Sequence, residues 1–332
     1  MNSIVEQRLN MIRMSPLIGA LVSTALRLRI PEALADSPKT VEDLATQNGT
    51  IPNRLEGILL SLECYGYFKR DIDSNTWSNS QKSLELLSEP NRTLTEFSAL
   101  PINYETIAHF PESLSQNKSA LEISKNKSLP EALKKHPDQY RCYLDLITAE
   151  SQKGLEEFLE SIDLNQTQNL LYISESFPNL LMGLLQKFPQ VSACLFQTPQ
   201  FAPLSSETIQ KGSLTQRVQV VESDLLEPFP QKFDTILIKE TLHYLNDEKC
   251  LCLLKNCKES IENGGKLLAV ETLVDRNSPN YPLQRLKDIE MMMQFGGKER
   301  TKEQFQALFS QAGFQNVEFV PVSDSYVISS LS

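Results

Sequence analysis

One histidine stands at the end of an apolar run, where a reactive side chain can reach the edge of a sheet. The run is Phe233-Asp-Thr-Ile-Leu-Ile-Lys-Glu-Thr-Leu-His243, and its apolar centre is typical of a buried strand. Because a free imidazole has a pKa of about 6.5, His243 can accept a proton at neutral pH. A structural interpretation stays open, since a histidine at the start of a helix can be satisfied by its neighbours alone.

Three cysteines follow this histidine, at Cys250, Cys252 and Cys257. A zinc site needs C-x-x-C spacing or a second cluster, and this pattern has neither. The three fall on one predicted helix, where buried small apolar side chains explain them, so we expect no metal. The chain has six cysteines at irregular spacing, which predicts reduced thiols in a cytoplasmic protein.

Charge and hydropathy exclude several classes of protein. The 332 residues include 32 Lys and Arg against 42 Asp and Glu, a net charge of −10. A protein that coats DNA needs a basic face for phosphate, so we expect no nucleic-acid partner. No apolar run approaches the roughly 20 residues that span a bilayer, and Met1 to Ser15 lack the apolar stretch of a secretory signal. We therefore expect no membrane association.

The second half of the chain alternates apolar runs with helical segments. After the helix predicted at 302–312, two further runs lie too close together for a crossover helix, so they predict an antiparallel hairpin. Gly264-Gly265 is predicted to end one helix and open the fifth strand. The pattern predicts an α/β fold, a doubly wound sheet of five parallel strands plus a terminal hairpin. The parallel strands are predicted around Leu170-Leu-Tyr-Ile, Ala193-Cys-Leu-Phe, Val218-Gln-Val-Val, Thr235-Ile-Leu-Ile and Lys266-Leu-Leu-Ala-Val.

The first half is mostly helical. Thr40 is a predicted helix cap, and Pro52 suits a first helical turn. Tyr65-Gly-Tyr-Phe68 and Thr76-Trp77 flank a polar turn, so the whole segment predicts a winged helix. Its second helix carries Arg54 against Glu56 and Glu63, so dimerisation is a better interpretation than DNA binding. We predict a winged-helix domain at 1–93, a helical connector at 94–160 that contributes to the substrate pocket, and a Rossmann-like domain at 161–332.

The chain resembles the class I S-adenosylmethionine (SAM)-dependent O-methyltransferases of natural-product biosynthesis, of the plant caffeate type and the bacterial polyketide type. The resemblance rests on the run that ends at His243, on the run from Leu254 to Gly264-Gly265, and on Gly296-Gly-Lys-Glu-Arg-Thr301 leading to Ala312-Gly-Phe314. It implies a Rossmann-like methyltransferase sheet, a homodimer formed through the N-terminal domain, and a small-molecule substrate.

The resemblance also implies roles for site residues. His243 matches the catalytic base, and Glu271 and Glu299 match two acids that orient it. A carboxylate on the far ring nitrogen fixes the tautomer and stabilises the imidazolium. A Met-containing helix that encloses an aromatic acceptor matches the substrate-pocket residues Asp288, Met291, Met292 and Phe295.

The expected cofactor loop departs from the family pattern Asp-x-Gly-Gly-Gly-x-Gly. Here the stretch reads Tyr172-Ile-Ser174-Glu175-Ser176-Phe177-Pro178, without glycine. Glycine lets the backbone turn tightly and approach a cofactor, so added Cβ atoms are unfavourable there. Glu175 would also place an anion near the carboxylate of SAM.

Further changes follow downstream. Gln197 replaces the acid that binds the ribose hydroxyls, and Leu226 and Leu245 replace aromatic residues at the adenine. These changes predict lost or greatly weakened SAM binding, and therefore no cofactor. The degenerate cofactor site comprises Ser174, Glu175, Ser176, Gln197, Asp224, Leu225 and Lys239.

The leading functional hypothesis is that His243 performs acid–base chemistry without methyl transfer. An isomerisation, cyclisation, elimination or hydrolysis of an aromatic or polyketide-like molecule would fit. Two alternatives stay open: an active SAM-dependent O-methyltransferase with a divergent cofactor loop, and a non-catalytic binding or scaffold protein.

Overall fold

The computed structural model describes residues 2–116, 118–229 and 231–331. The chain divides into two units, one formed by residues 2–104 with Asp138–Ala149, the other by Glu105–Pro137 with the residues from Glu150 onward. The three-part division at 93 and 160 stays a prediction, and its outer limits, residues 1 and 332, lie outside the described residues.

The elements alternate as the sequence predicts, with helices first and a sheet afterwards. In chain order they are α1 (Asn2–Arg27), α2 (Ile30–Ala33), α3 (Val41–Asn48), α4 (Pro52–Cys64), β1 (Phe68–Asp71), β2 (Thr76–Asn79), α5 (Gln81–Glu85), α6 (Asn91–Ser98), α7 (Pro101–Ala108), α8 (Phe110–Ser113), α9 (Ala120–Lys125), α10 (Leu129–Leu133), α11 (Pro137–Gln152), α12 (Leu155–Ser161), β3 (Asn169–Ile173), α13 (Asn179–Lys187), β4 (Ser192–Gln197), α14 (Ala202–Lys211), β5 (Val218–Glu222), β6 (Phe233–Lys239), a 3₁₀ turn (Leu242–Tyr244), α15 (Asp247–Ser260), β7 (Ile261–Glu271), α16 (Tyr281–Phe295), α17 (Lys302–Gln311), β8 (Gln315–Val322) and β9 (Ser325–Leu331).

The first unit contains the predicted helix–turn–helix and β-hairpin. Thr40 caps α3 by accepting the N–H of Asp43, and Pro52 occupies the first turn of α4. Strands β1 and β2 pair antiparallel. The apolar stripe of α4 is buried against both strands through Phe68 and Trp77, which gives this unit its own core.

Helix α1 carries an apolar stretch that includes most of the run Leu17–Leu28, which the resemblance assigns to dimerisation. Residues Leu9–Arg27 have a mean hydropathy of 1.3, and 22% of this stretch is buried. By length and composition it is long and apolar enough to cross a membrane, which corrects the expectation that no run reaches that size. Helices that pack into protein interiors pass the same test, so the stretch assigns no membrane location.

The second unit is built on a seven-stranded sheet in the order β5-β4-β3-β6-β7-β9-β8. Strands β3 to β7 are parallel, and β8 and β9 form the antiparallel hairpin, so the predicted fold class is confirmed. From β3 the chain moves outward through β4 and β5, then returns to β6 on the other side. The order therefore reverses between β3 and β6, and a crevice opens at the carboxyl ends of these two strands.

Apolar side chains cover both faces of the sheet, as continuous apolar strands require. Alternate residues of β6 belong to different cores: Ile236 and Ile238 pack with Phe305 on one face, while Leu237 packs with Tyr172 on the other. Both cores fix the strand ends that carry the site.

The glycine pair Gly264-Gly265 lies inside β7, so the prediction that it ends a helix is wrong. Helix α15 ends earlier, at Ser260, and the strand begins at Ile261. A Cβ added at Gly265 would lie 2.6 Å from the carbonyl oxygen of Asp234. Here glycine permits a close approach between the backbones of β7 and β6.

Candidate active site

Glu271, the last residue of β7, organises the turn that carries His243. Its Oε1 accepts the backbone N–H groups of Thr241 at 2.9 Å and Leu242 at 2.7 Å, and its Oε2 lies 2.8 Å from Nδ1 of His243. The Glu271 side chain is fully buried. Because a carboxylate can only accept, Nδ1 carries the proton, and Nε2 of the neutral imidazole has a free lone pair.

The sheet explains why these residues meet. Strands β6 and β7 are paired in parallel up to Lys239 and Val270, so the residues that follow them lie side by side. The N–H of Glu240 still donates to the carbonyl of Val270, at 2.9 Å. The first N–H groups of the 3₁₀ turn then donate to the Glu271 carboxylate. The His243 side chain, in the same turn, is 13% exposed at the crevice.

A second segment supports the same turn from outside the sheet. Arg300 is fully buried and donates through Nη1 to the carbonyl of Leu242 at 2.8 Å, and through Nη2 to that of Leu245 at 2.8 Å. The N–H of Lys298 donates to the carbonyl of His243 at 2.9 Å, and a Cβ added at Gly297 would lie 2.1 Å from that oxygen. The sequence motif by itself predicts no role for Arg300 or Gly297.

Glu299 lies near His243 without bonding to it. Its side chain is 7% exposed, its Oε2 is buried, and no hydrogen-bond partner for that oxygen exists among residues 2–116, 118–229 and 231–331. Its N–H donates to Oδ1 of Asp288 at 3.0 Å. Of the two acids that the sequence pairs with His243, Glu271 makes the hydrogen bond and Glu299 acts through its charge.

The surrounding carboxylates make His243 strongly basic. Burial alone would lower the pKa of His243, but Glu271, by charge and hydrogen bond, and then Glu299 and Glu240 by charge, raise it to about 9. Burial in turn raises the pKa of Glu299, an effect that the charge of His243 opposes. A ligand cation in the crevice would lower the pKa of His243 and release its proton more easily.

Helix α16 carries the predicted pocket residues, which divide into two groups. The rings of Phe295 and Tyr244 pack at a tilt with centroids 4.7 Å apart, and Tyr244 and His243 pack edge to face at 4.2 Å. Met291 and Met292 are half-buried on the same helix. Asp288 is 4% exposed; its Oδ2 forms an ion pair with Arg285 at 2.7 Å, and its Oδ1 accepts the N–H of Glu299.

A cavity of about 550 Å³ lies at the carboxyl end of α16. Apolar and polar groups share its wall, as is usual for small-molecule sites. Met292 and Phe295 of the predicted pocket residues contribute to it, and Met291 does not. Other lining residues include Ser119, Leu226, Asn246 and Lys249.

The loop after β3 is fastened to the end of β4 by crossed hydrogen bonds. Nε2 of Gln197 donates to the carbonyls of Ser174 at 2.6 Å and Ser176 at 2.8 Å, while Glu175 accepts the N–H of Thr198 at 3.0 Å and its hydroxyl. The two serine hydroxyls lie 3.0 Å apart. The side chains that replace the expected glycines therefore bond to each other and to the neighbouring strand.

Burial is the main influence on the carboxyl group in this loop. It raises the pKa of Glu175 to about 7, the hydrogen bonds from Thr198 oppose the increase, and the charge of Asp224 adds to it. Asp224 itself is exposed and accepts the N–H of Leu226 at 2.8 Å. Leu225 is 5% exposed and packs in the core, so its side chain does not line the crevice.

These site residues share one edge of the sheet. Ser174, Gln197, Asp224 and Lys239 stand at or just beyond the carboxyl ends of β3, β4, β5 and β6, respectively. A sequence model of the O-methyltransferase domain family matches residues 114–315, which include this edge, His243, Glu271 and Glu299. The chain belongs to this family. Membership confirms the resemblance inferred from the sequence.

Whole-chain relatives agree with this family. A phenazine O-methyltransferase of Lysobacter antibioticus is 22% identical over 92% of this chain and 89% of its own length. The structure of mitomycin 7-O-methyltransferase matches 99% of this chain and 98% of its own, with a TM-score of 0.89 and 20% identity. An O-methyltransferase from neocarzinostatin biosynthesis, in complex with SAM and 2-hydroxy-5-methyl naphthoic acid, covers 95% of each chain, with a TM-score of 0.79 and 20% identity.

The expectation of no cofactor is wrong for a chain of this family. The neocarzinostatin enzyme shares the fold and holds SAM, and nothing in the present structure shows that binding is lost. One buried atom fits such a ligand: Oε1 of Gln197 has no hydrogen-bond partner among the described residues. This oxygen is an acceptor, and the hydroxyl groups of a ribose are donors that satisfy it. The absence of glycine in the loop therefore does not by itself predict a loss of SAM binding.

Proposed function

We propose that this protein is a SAM-dependent O-methyltransferase that acts on a hydroxyl group of a small aromatic molecule. The observation that carries the proposal is His243, whose Nδ1 is held by Glu271 while Nε2 has no hydrogen-bond partner among the described residues. A base in this state is suited to deprotonate a phenol. The phenazine, mitomycin and naphthoic-acid chemistry named for the relatives supports an aromatic natural product as the acceptor.

Four residues at the carboxyl edge would hold the cofactor. Gln197 offers an acceptor to a ribose hydroxyl, Asp224 an exposed carboxylate, and Lys239 an ammonium group. Ser174 begins the loop after β3, whose backbone would lie beside the cofactor. SAM, when bound, supplies an electrophilic methyl group.

Proton transfer is the task of the histidine. Nε2 of His243 takes the proton of the acceptor hydroxyl, and the oxygen becomes a stronger nucleophile. Glu271 stabilises the imidazolium that forms, because it already accepts the Nδ1 proton. Arg300 and the N–H of Lys298 hold the turn in place, so the base does not have to be positioned during the reaction.

The proposal is tested by binding and by turnover. Calorimetry should show micromolar binding of SAM, and labelled SAM should transfer its methyl group to hydroxylated naphthoic acids or phenazines. The His243→Asn variant should bind SAM normally and lose at least about a hundredfold in turnover. His136→Asn is the matched control. No SAM binding, or full turnover in the His243 variant, would reject the proposal.

We also propose that the protein forms a homodimer through its first unit. Helix α1 exposes large apolar side chains, with Leu9 54%, Ile12 68% and Leu17 50% exposed. Such a face is costly in water and is commonly covered by a partner. Light scattering should give twice the chain mass, and Ile12→Glu with Leu17→Glu should reduce it to a single chain. A single-chain mass for the wild type would reject the dimer.

A further inference from the structure

One side of α16 is enclosed although most of its side chains are polar. Four residues share this side by their i, i+3, i+4, i+7 spacing: Lys287, Glu290, Met291 and Gln294. Gln294 is 5% exposed, and the other three are half-buried. Enclosed helix faces are usually apolar, and polar groups that leave water need partners. These four residues, the polar face of α16, therefore favour a polar ligand.

The polar face adjoins the catalytic base. The charge of Lys287 acts on Glu290 and also on Glu299, so the lysine lies near both carboxylates. Glu299 in turn acts on His243 by its charge. All four residues belong to the second unit. A molecule that presents a hydroxyl group to Nε2 of His243 can therefore reach the polar face with a second substituent.

Negative charge is in excess at this face. Burial raises the pKa of Glu290 most, the charge of Lys287 opposes the increase, and the charge of Glu150, at the end of α11, adds to it. Oε1 of Glu290 accepts a long hydrogen bond of 3.4 Å from Nε2 of Gln294. In the part of the chain that the structure describes, neither Glu150 nor Glu290 forms an ion pair. The charges of the face therefore favour a cation as the ligand.

An unsatisfied oxygen supports the same conclusion independently. Glu299 is 7% exposed, and its buried Oε2 has no hydrogen-bond partner within the described ranges. A buried carboxylate oxygen without a donor is costly, and an ammonium group offers up to three donors. The described residues contain no group of three or more His, Cys, Asp or Glu side chains that could hold a metal ion. An organic ammonium group is therefore the cation that fits.

We propose that the acceptor is an aromatic hydroxyl compound that also carries a basic nitrogen, and that Glu290 and Glu299 bind its ammonium group. This inference rests on the proposed function and narrows its substrate class. The bound ammonium lowers the pKa of both carboxylates and so keeps them ionised. Its charge-assisted hydrogen bonds also fix which hydroxyl of the ring faces Nε2 of His243.

Three catechols of similar shape isolate the charge of the acceptor. Dopamine carries an ammonium group, dihydrocaffeate a carboxylate, and 4-ethylcatechol neither. Methyl transfer is measured with saturating SAM, so that the sulfonium charge is constant, and each kcat/KM is divided by that for 4-ethylcatechol. In the wild type this ratio should be at least about tenfold higher for dopamine than for dihydrocaffeate.

Variants of the polar face test whether Glu290 causes this preference. Glu290→Gln should reduce the preference for dopamine to about threefold or less. Glu303→Gln, at an exposed carboxylate of α17, is the matched control and should retain it in full. A preference that stays at the wild-type value in Glu290→Gln would overturn the proposal.

Charge reversal separates recognition from a structural role. Glu290→Lys should favour dihydrocaffeate over dopamine, whereas a residue that only stabilises the fold would lower kcat/KM for all three catechols alike. Equal loss for all three would therefore overturn the proposal too. Should Glu290→Lys lose its melting transition, Glu150→Gln removes the neighbouring charge and should reduce the preference for dopamine.

The failure of this inference differs from that of the proposed function. Wild type that methylates the catechols without preferring dopamine rejects only the ammonium site. The same holds if hydroxylated naphthoic acids are methylated and none of the catechols is. Wild type that binds no SAM rejects the proposed function and the inference together.

Discussion

Glu271 and His243 are joined by a 2.8 Å contact between Oε2 and Nδ1, and the other oxygen of the same carboxylate holds the backbone on which the histidine stands. One side chain thus sets the tautomer of the base, its orientation and the path of the turn. This arrangement separates Glu271 from Glu299, which has no hydrogen bond to the ring.

Replacing Glu271 with glutamine should remove the base without removing the histidine. The amide oxygen can still accept from Thr241 and Leu242, but the amide nitrogen then donates to Nδ1. That forces the proton onto Nε2, where a free lone pair is needed, so turnover should fall by about a hundredfold or more. Steady-state kinetics measure the change, with Glu262→Gln as a control on the same strand. Turnover within about threefold of wild type would contradict it.

The rate should depend on the protonation of His243. Since the pKa of His243 is raised to about 9, kcat/KM should increase with pH and level off above about 9. Glu299→Gln removes a negative charge, lowers this pKa and should move the rising limb to lower pH. Glu303→Gln, at an exposed carboxylate of α17, should leave it in place. An unmoved limb in Glu299→Gln would show that its charge does not act on the base.

The same raised pKa predicts a stability effect with a defined sign. Folded His243 binds its proton more tightly than the unfolded chain does, so its contribution is complete below pH 6.5 and is lost as pH rises through about 9. Between pH 6 and 10, the free energy of unfolding measured in urea should therefore decline in the wild type, and this decline should be absent in His243→Asn. Parallel curves for the two proteins would exclude the linkage.

Glu175 should affect the stability of the fold at lower pH than His243 does. Its pKa is raised to about 7, so the folded chain holds this proton where the unfolded chain releases it. Stability should fall as pH rises from 4.5 to 7, by up to about 3 kcal/mol, since a tenfold change in proton affinity corresponds to about 1.4 kcal/mol. Glu175→Gln retains both contacts to Thr198 and should lack this decline. Glu222→Gln, at an exposed carboxylate at the end of β5, should behave as wild type.

Gly297 should tolerate no side chain. A Cβ there would lie 2.1 Å from the carbonyl oxygen of His243, so Gly297→Ala must displace the catalytic turn. Turnover should fall by at least about tenfold, and unfolding should become easier by about 2 kcal/mol. Gly57→Ala is the matched control in α4, where no atom lies within 4 Å, and it should stabilise the helix by roughly 0.5 to 1 kcal/mol. Wild-type turnover in Gly297→Ala would contradict the argument.

The sheet could be predicted from the sequence because each of its strands has a local apolar pattern. Apolar runs such as that around Ile236 and Leu237 are continuous, and the short link before β9 leaves room only for a hairpin. The role of a glycine was predicted wrongly where it depends on a contact with a residue far away in the sequence. Gly265 faces Asp234, 31 residues earlier, and nothing in the nearby sequence distinguishes that contact from a helix end.

The candidate site was predictable where the family resemblance assigns a role to a residue, and not where a contact depends on the folded chain alone. His243 and Glu271 could be recognised from the family motif. The hydrogen bond from Gln197 to Ser174 spans 23 residues, and that from Arg300 to Leu242 spans 58. Neither has a local signature. The missing glycines predict added bulk in the loop, but the hydrogen bonds that the new side chains make depend on the folded chain.

The fastening of Ser174 and Ser176 by one glutamine amide has a consequence for how this protein can change. A loop shaped by glycine owes its course to backbone freedom spread over several positions. Here the side chains of Gln197 and Glu175 hold the turn through hydrogen bonds at two fixed positions. A substitution at residue 197 is therefore expected to change the preference for the nucleoside, while the histidine and its glutamate stay untouched.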